Sequence, residues 1–179
     1  MVPLSPLEFR CSRCEWAFNL SAPTVSSPAV PATTVAATNG TGTVVAVTIT
    51  GGTLTSVVVN GTQAGTTAAT YLVPAGGTIS ITYSAAPTWA WALPQTSASV
   101  TAGGTALPFS AGGTAFALGQ VLVVDPSGTS DLVVVSGTPT GTSVPVNSLN
   151  TSHNSGVSVA VAALAPTLPA EQSVPATAF

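Results

Sequence analysis

Cys11 and Cys14 are the residues whose type and spacing most directly suggest chemistry. A Cys-x-x-Cys pair can supply one side of a tetrahedral zinc site or form a redox couple. The chain has no second Cys-x-x-Cys and no His-x-x-x-His, so a metal site would need His153 and a distant carboxylate, or another subunit. A redox role calls for the motif to open a helix after a strand, which its Pro-rich surroundings do not offer. Cys11 and Cys14 are therefore read as structural or incidental, with an intersubunit metal or disulfide as the lesser alternative, and no cofactor is expected. His153 lies in the polar, turn-rich loop Asn150–Gly156 with no partner constellation around it in the sequence. General acid–base catalysis draws on His, Lys and paired carboxylates. Here one His, no Lys and scattered carboxylates imply no catalytic residue and no enzyme activity. No Gly-x-x-x-x-Gly-Lys-Ser/Thr loop is present, and the Gly-Gly pairs beginning at 51, 76, 103 and 112 are read as turns. Trp89-Ala90-Trp91 sets two indoles on one face of a strand, as core or subunit contact in preference to a ligand platform. Asn-x-Ser/Thr sequons at Asn19, Asn39, Asn60 and Asn150 are expected by chance in a Thr-rich chain.

The elements that must position these residues are set by an unusual composition. The chain has 179 residues with 2 Lys+Arg, 5 Asp+Glu and 1 His, so charged residues make up 4%. A soluble domain ordinarily carries about 25%. Between Glu15 and Glu171 the only formal charges are Asp125 and Asp131, so no basic surface exists to neutralise phosphates; nucleic-acid binding by electrostatics is excluded and no nucleic-acid partner is expected. Mean hydropathy is +0.55. The apolar residues are nevertheless interrupted every few positions by Thr, Ser, Gly or Pro, and no run approaches the roughly 18 to 20 needed for a spanning helix. No membrane partner is expected. A hydrophobic content of 45% argues against disorder. With so little charge to keep it apart from its neighbours, the surface is read as neutral Thr/Ser or as covered by a partner. Met1 to Leu20 lacks the apolar core of a secretory signal, so export by that route is not expected.

Short runs of Val, Thr, Ile, Tyr and Trp bounded by Gly, Pro and Asn predict an all-β protein of small β-sandwich or barrel-like modules. Val45, Val47 and Ile49 alternate with small or polar residues. Gly51-Gly52 is expected to turn the chain back into Leu54–Val59, and Asn60-Gly61 to form a type I′ turn, giving a meander of hairpins. Further strands are expected at Tyr71–Val73, Ile79–Tyr83, Trp89–Leu93, Ala115–Val124, Asp131–Ser136, Ser143–Leu149 and Val157–Ala163. The expected organisation is an extended N-terminal arm over 1–30, a β-module over 31–96, a second over 97–163 after a Ser/Thr/Gly boundary at Gln95–Gly104, and a Pro-rich C-terminal tail over 164–179. Arms of this kind do not bury themselves and usually lie on another surface.

Several stretches together resemble structural proteins of tailed bacteriophages of actinobacteria. In the first half these are Val30–Asn39, Val44–Gly52, Val57–Gly61, Tyr71–Gly77 and Ile79–Trp91. In the second half they are Phe116–Asp125, Asp131–Ser136, Gly141–Val146 and Leu149 with His153 and Gly156. The resemblance implies a head decoration or head-fibre protein of the virion, a trimer seated on the major capsid protein at the head surface, assembled in the host cytoplasm and without an active site. On that reading Phe9, Arg10, Arg13, Trp16 and Phe18 of the N-terminal arm, together with Trp89 and Trp91, are the expected partner contacts. The alternative is a tail-associated protein that recognises a host glycan through Trp89, Trp91 or the Thr-rich loops.

Overall fold

Alternation of large apolar side chains with Thr, Ser or Ala dictates extended backbone with one heavy face. In the computed structural model these stretches are strands. It describes residues 7–10, 17–20 and 23–162, the first two segments by their backbone alone. The protein is all-β, every ladder is antiparallel, and the one helical turn among the described residues is a 3₁₀ turn at Gly113–Ala115.

Two compact units are present, Met1–Ser21 with Ala163–Phe179, and Ala22–Ala162. In the first, β1 (Leu7–Arg10) pairs with β2 (Ala17–Leu20), setting Phe9 opposite Phe18 and Arg10 opposite Ala17. The stretch expected to be a plain extended arm thus contains paired strands. Cys11, Arg13, Cys14 and Trp16, and the Pro-rich tail over 164–179, lie outside the described residues.

The larger unit holds two hydrophobic cores. The first is a sandwich of two sheets formed by β3 (Ala36–Thr38), β4 (Val45–Thr50), β5 (Thr53–Val59), β6 (Thr62–Gly65), β7 (Thr70–Val73), β8 (Thr78–Ala85) and β9 (Thr88–Ala92). Strand order is β3-β8-β5-β6 in one sheet and β7-β4-β9 in the other. Val45, Val47, Ile49, Val73, Trp89 and Trp91 face Val57, Ile79 and Ile81 across the interior. Asn60 and Gly61 have φ of 49° and 76°, as a type I′ turn demands, and they close the β5–β6 hairpin.

Gly51-Gly52 does something else. Although both residues have positive φ, β4 and β5 do not pair, because the turn carries the chain from one sheet to the other. The return crossing, from β8 to β9, runs against it. A Cβ on Gly52 would lie 2.6 Å from the Ala85 carbonyl oxygen and 2.7 Å from the Pro87 nitrogen. The expected meander is therefore a sandwich whose consecutive strands mostly alternate between sheets.

The second core is built by β10 (Ala106–Pro108), β11 (Val121–Val124), β12 (Asp131–Val134), β13 (Ser143–Pro145) and β14 (Val159–Val161). β11 lies between β12 and β14, and β10 pairs with β13. Leu107, Phe109, Phe116, Leu122, Val133 and Val144 fill its centre, with the Phe109 and Phe116 rings 5.2 Å apart. The expected strand over Ala115–Val124 forms only from Val121. Gly112 and Gly119, at φ of 75° and 80°, bend the preceding chain into the 3₁₀ turn and a loop.

The Gln95–Gly104 stretch, expected as a boundary, is an edge of this core. Gln95 bridges to Ser158, Val100 exchanges both backbone hydrogen bonds with His153, and Gly103 N donates to the Leu149 carbonyl. The two cores also meet along β4 and its approach, where Val44 belongs to the second and Val45 to the first. Thr43 Oγ1 accepts from Val161 N at 2.8 Å, and Asn39, fully buried, gathers the neighbouring loop. Asn39 Nδ2 donates to the carbonyls of Thr43, Val73 and Pro74, while Oδ1 accepts from the Thr41 amide and hydroxyl.

Candidate functional site

Asp125, Asp131 and His153 are the only Asp, Glu, Lys, Arg or His residues between 23 and 162, and the fold brings all three together. Asp125 follows β11 at φ 56°. Its carboxylate occupies the space a Cβ on Gly128 would need, which makes glycine the fitting residue there. Asp131 opens β12 opposite Val124. His153 is fixed from the far side by its two backbone bonds to Val100.

The Asp131 carboxylate, 4% exposed, is the hub. It accepts from Asn150 N at 3.0 Å, Thr151 N at 2.9 Å, Thr151 Oγ1 at 3.0 Å and Asn150 Nδ2 at 3.3 Å. His153 Nε2 lies 3.1 Å from Asp131 Oδ2. Burial alone opposes ionisation, but the Thr151 amide, the His153 ring, the Thr151 hydroxyl and the Asn150 side chain outweigh it and hold the Asp131 carboxyl below its usual range. The other ring nitrogen, Nδ1, faces Asp125 Oδ2 at 4.0 Å, too far for a hydrogen bond.

A nucleophilic relay needs its hydroxyl and its orienting carboxylate on opposite ring nitrogens. Here Thr151 Oγ1, 3.2 Å from His153 Nε2, shares that nitrogen with Asp131, and the ring is 1% exposed. The geometry fastens the 150–153 loop to β12 and leaves the Asp131 carboxylate and the His153 ring buried. Sequence reasoning missed the cluster because 22 residues separate Asp131 from His153. The signal available was that every Asp, Glu, Lys, Arg or His between 23 and 162 lies within Phe116–Gly156.

Trp89 and Trp91, read from the sequence as core or subunit contact and expected among the partner contacts, are interior at 8% and 6% exposure and pack edge to face, with centroids 5.6 Å apart. The chain's own residues 25–34 seal them. Trp89 Nε1 donates to the Pro28 carbonyl at 2.8 Å, Trp91 N donates to Ser27 Oγ at 2.7 Å, and the Tyr83 hydroxyl donates to the Pro31 carbonyl at 2.9 Å. Val25 and Val30 complete the cover. Part of the expected free arm is thus a strap over the first core, and the rings offer no platform to a ligand. Trp91 Nε1 is buried without a partner among the described residues.

A groove of about 600 Å³ lies between the β5–β6 hairpin, β7 and the 3₁₀ turn. Asn60, Gln63, Tyr71, Leu72, Pro74 and Thr114 contribute to its walls, and its lining contains no Asp, Glu, Lys, Arg or His. Tyr71 lies across Gly65, where a Cβ would collide with the phenol, and its hydroxyl donates to the Thr67 carbonyl at 2.7 Å. Phe9, Arg10 and Phe18 are placed on β1 and β2 of the smaller unit by backbone alone. No helix among the described residues is long and apolar enough to cross a membrane, and they include no group of three or more His, Cys, Asp or Glu arranged to hold a metal ion. Compared with known protein families, curated proteins and solved structures, the chain matches none.

Proposed function

We propose that this protein is a non-enzymatic structural component of a bacteriophage virion, a decoration protein that binds the major capsid protein at the head surface as a trimer. The observation that carries this reading is the charge inventory. Across residues 23–162 both carboxylates and the only histidine are drawn into one cluster, in which Asp131 and His153 are buried and Asp125 is part-exposed, and the remaining exterior is uncharged, mostly Thr, Ser, Gly and Ala with Val35, Leu118 and Val134 exposed among them. Charge depletion of this kind suits lasting contact with a protein lattice, since interface cores exclude charge. β6 ends its sheet, and it carries no Lys to guard that edge, which symmetric association would cover.

The capsid-binding segment on this reading is residues 1–22, upstream of the strap. Deleting them should abolish head occupancy and leave the two cores folded. Deleting through residue 30 also strips the strap from Trp89 and should destabilise the sandwich. The direct test is to separate heads from tails of the particle carrying this chain and quantify it by mass spectrometry. A fixed high ratio to the major capsid protein in heads supports decoration, whereas absence from heads overturns it. The second reading, a tail-associated glycan-binding protein, now rests on the neutral groove beside Tyr71 in place of the tryptophans, and predicts a few copies confined to tails.

A further inference from the structure

The chain contains two Asn-Gly pairs, Asn39-Gly40 and Asn60-Gly61, each followed by Thr, and the fold treats them in opposite ways. Glycine after asparagine favours a specific reaction because no side chain hinders its nitrogen. That nitrogen attacks the asparagine Cγ, the C–N bond to the side-chain amide breaks, and ammonia leaves. Water then opens the resulting five-membered imide to aspartate or isoaspartate. The reaction needs a free backbone nitrogen, an electrophilic side-chain carbonyl and a side-chain nitrogen free to depart.

Asn39 is denied these conditions. Its side chain is fully buried, and Nδ2, the leaving nitrogen, is held by three carbonyls at 2.8 to 3.0 Å. Asn60 meets them. It is exposed in a two-residue turn, Gly61 N lies outside the strand ladder and donates to no backbone carbonyl, and a Cβ at Gly61 would meet nothing within 4 Å. The Thr78 amide donates to Asn60 Oδ1 at 2.8 Å, which polarises the carbonyl under attack, while Nδ2 has no protein partner among the described residues.

We propose that Asn60-Gly61 is a site of spontaneous deamidation, protected at Asn39-Gly40 by burial and hydrogen bonding, and that its product places a carboxylate on the wall of the groove. Aspartate at 60 keeps the acceptor for the Thr78 amide and strengthens that bond by its charge. It is also the first ionised group in a groove that otherwise has none. Isoaspartate lengthens the backbone within a turn whose Asn60 Oδ1 occupies the space a Cβ on Gly77 would need.

The experiment ages the purified full chain at mildly alkaline pH and follows both sites by peptide mass spectrometry, in the native state and in denaturant. In the native protein Asn60 should convert at least about ten-fold faster than Asn39, because reaction at Asn39 must await local opening. In denaturant the two rates should converge. Equal native rates, or conversion at Asn39 ahead of Asn60, overturn the proposal. Asn60→Ala should remove the mass increment from aged native protein, and its persistence at another residue would also overturn it.

Discussion

Replacing Asp131 with alanine removes the acceptor shared by two backbone amides, the Thr151 hydroxyl and the His153 ring, all within 3.1 Å of one carboxylate oxygen. Each hydrogen bond to a charged group is worth about 1.5–3 kcal/mol, but bonds to one atom do not add, and the stranded donors keep partial access to water. Removing one partner from a buried charged cluster costs about 3–5 kcal/mol, which we take as the expected loss. For a unit of this size that lowers Tm by on the order of 10 °C. Chemical denaturation followed by tryptophan fluorescence reads the change, and Asp131→Asn, which keeps the volume while losing the charge, serves if the alanine variant does not fold. The pH dependence adds an independent check. Because the folded Asp131 carboxyl is held below its unfolded value of about 3.9, its contribution is complete above about pH 5 and disappears as pH falls through the folded value. The stability gap between parent and Asp131→Asn should therefore be full at neutral pH and close on acidification. A loss under about 1 kcal/mol at neutral pH, or a gap independent of pH, would refute the fastening role.

Two further predictions follow from the sandwich. Gly52→Ala should cost about 2–4 kcal/mol, since positive φ and contact with the crossing backbone at Ala85 and Pro87 combine, whereas Gly51→Ala, with open space around it, should cost about 1 kcal/mol; denaturant midpoints of the two variants test the difference. Trp89→Phe should lose about 1 kcal/mol with its hydrogen bond to Pro28, and Trp89→Ala about 3–5 kcal/mol from the emptied core; unchanged stability with impaired adsorption to host cells would restore the ligand-platform reading.

Where apolar and small residues alternate, the strands were legible. β4, β5, β7, β8 and β9 lie within a residue or two of their expected spans, because period-two patterning directly reports which side chains face inward. Alternation is silent on which sheet a strand joins. Gly51-Gly52 carries the same positive-φ signature whether it closes a hairpin or crosses between sheets, and contact with Ala85 and Pro87 decided the matter. Short strands without alternation, such as Thr62–Gly65 and Ala106–Pro108, have no local signal and exist through their partners β5 and β13.

From its amino-acid order alone this chain was bound to be β-rich and poor in charge, since those properties depend on residue types and their local period. The tertiary structure decided where its few ionisable groups went and what its tryptophans do. Asp131 reaches His153 only because Asp131 pairs with Val124 while Val100 holds His153, and Trp89 becomes interior only because residues 25–31 fold back over it. Such meetings depend on contacts between residues far apart in the chain, to which local pattern is blind.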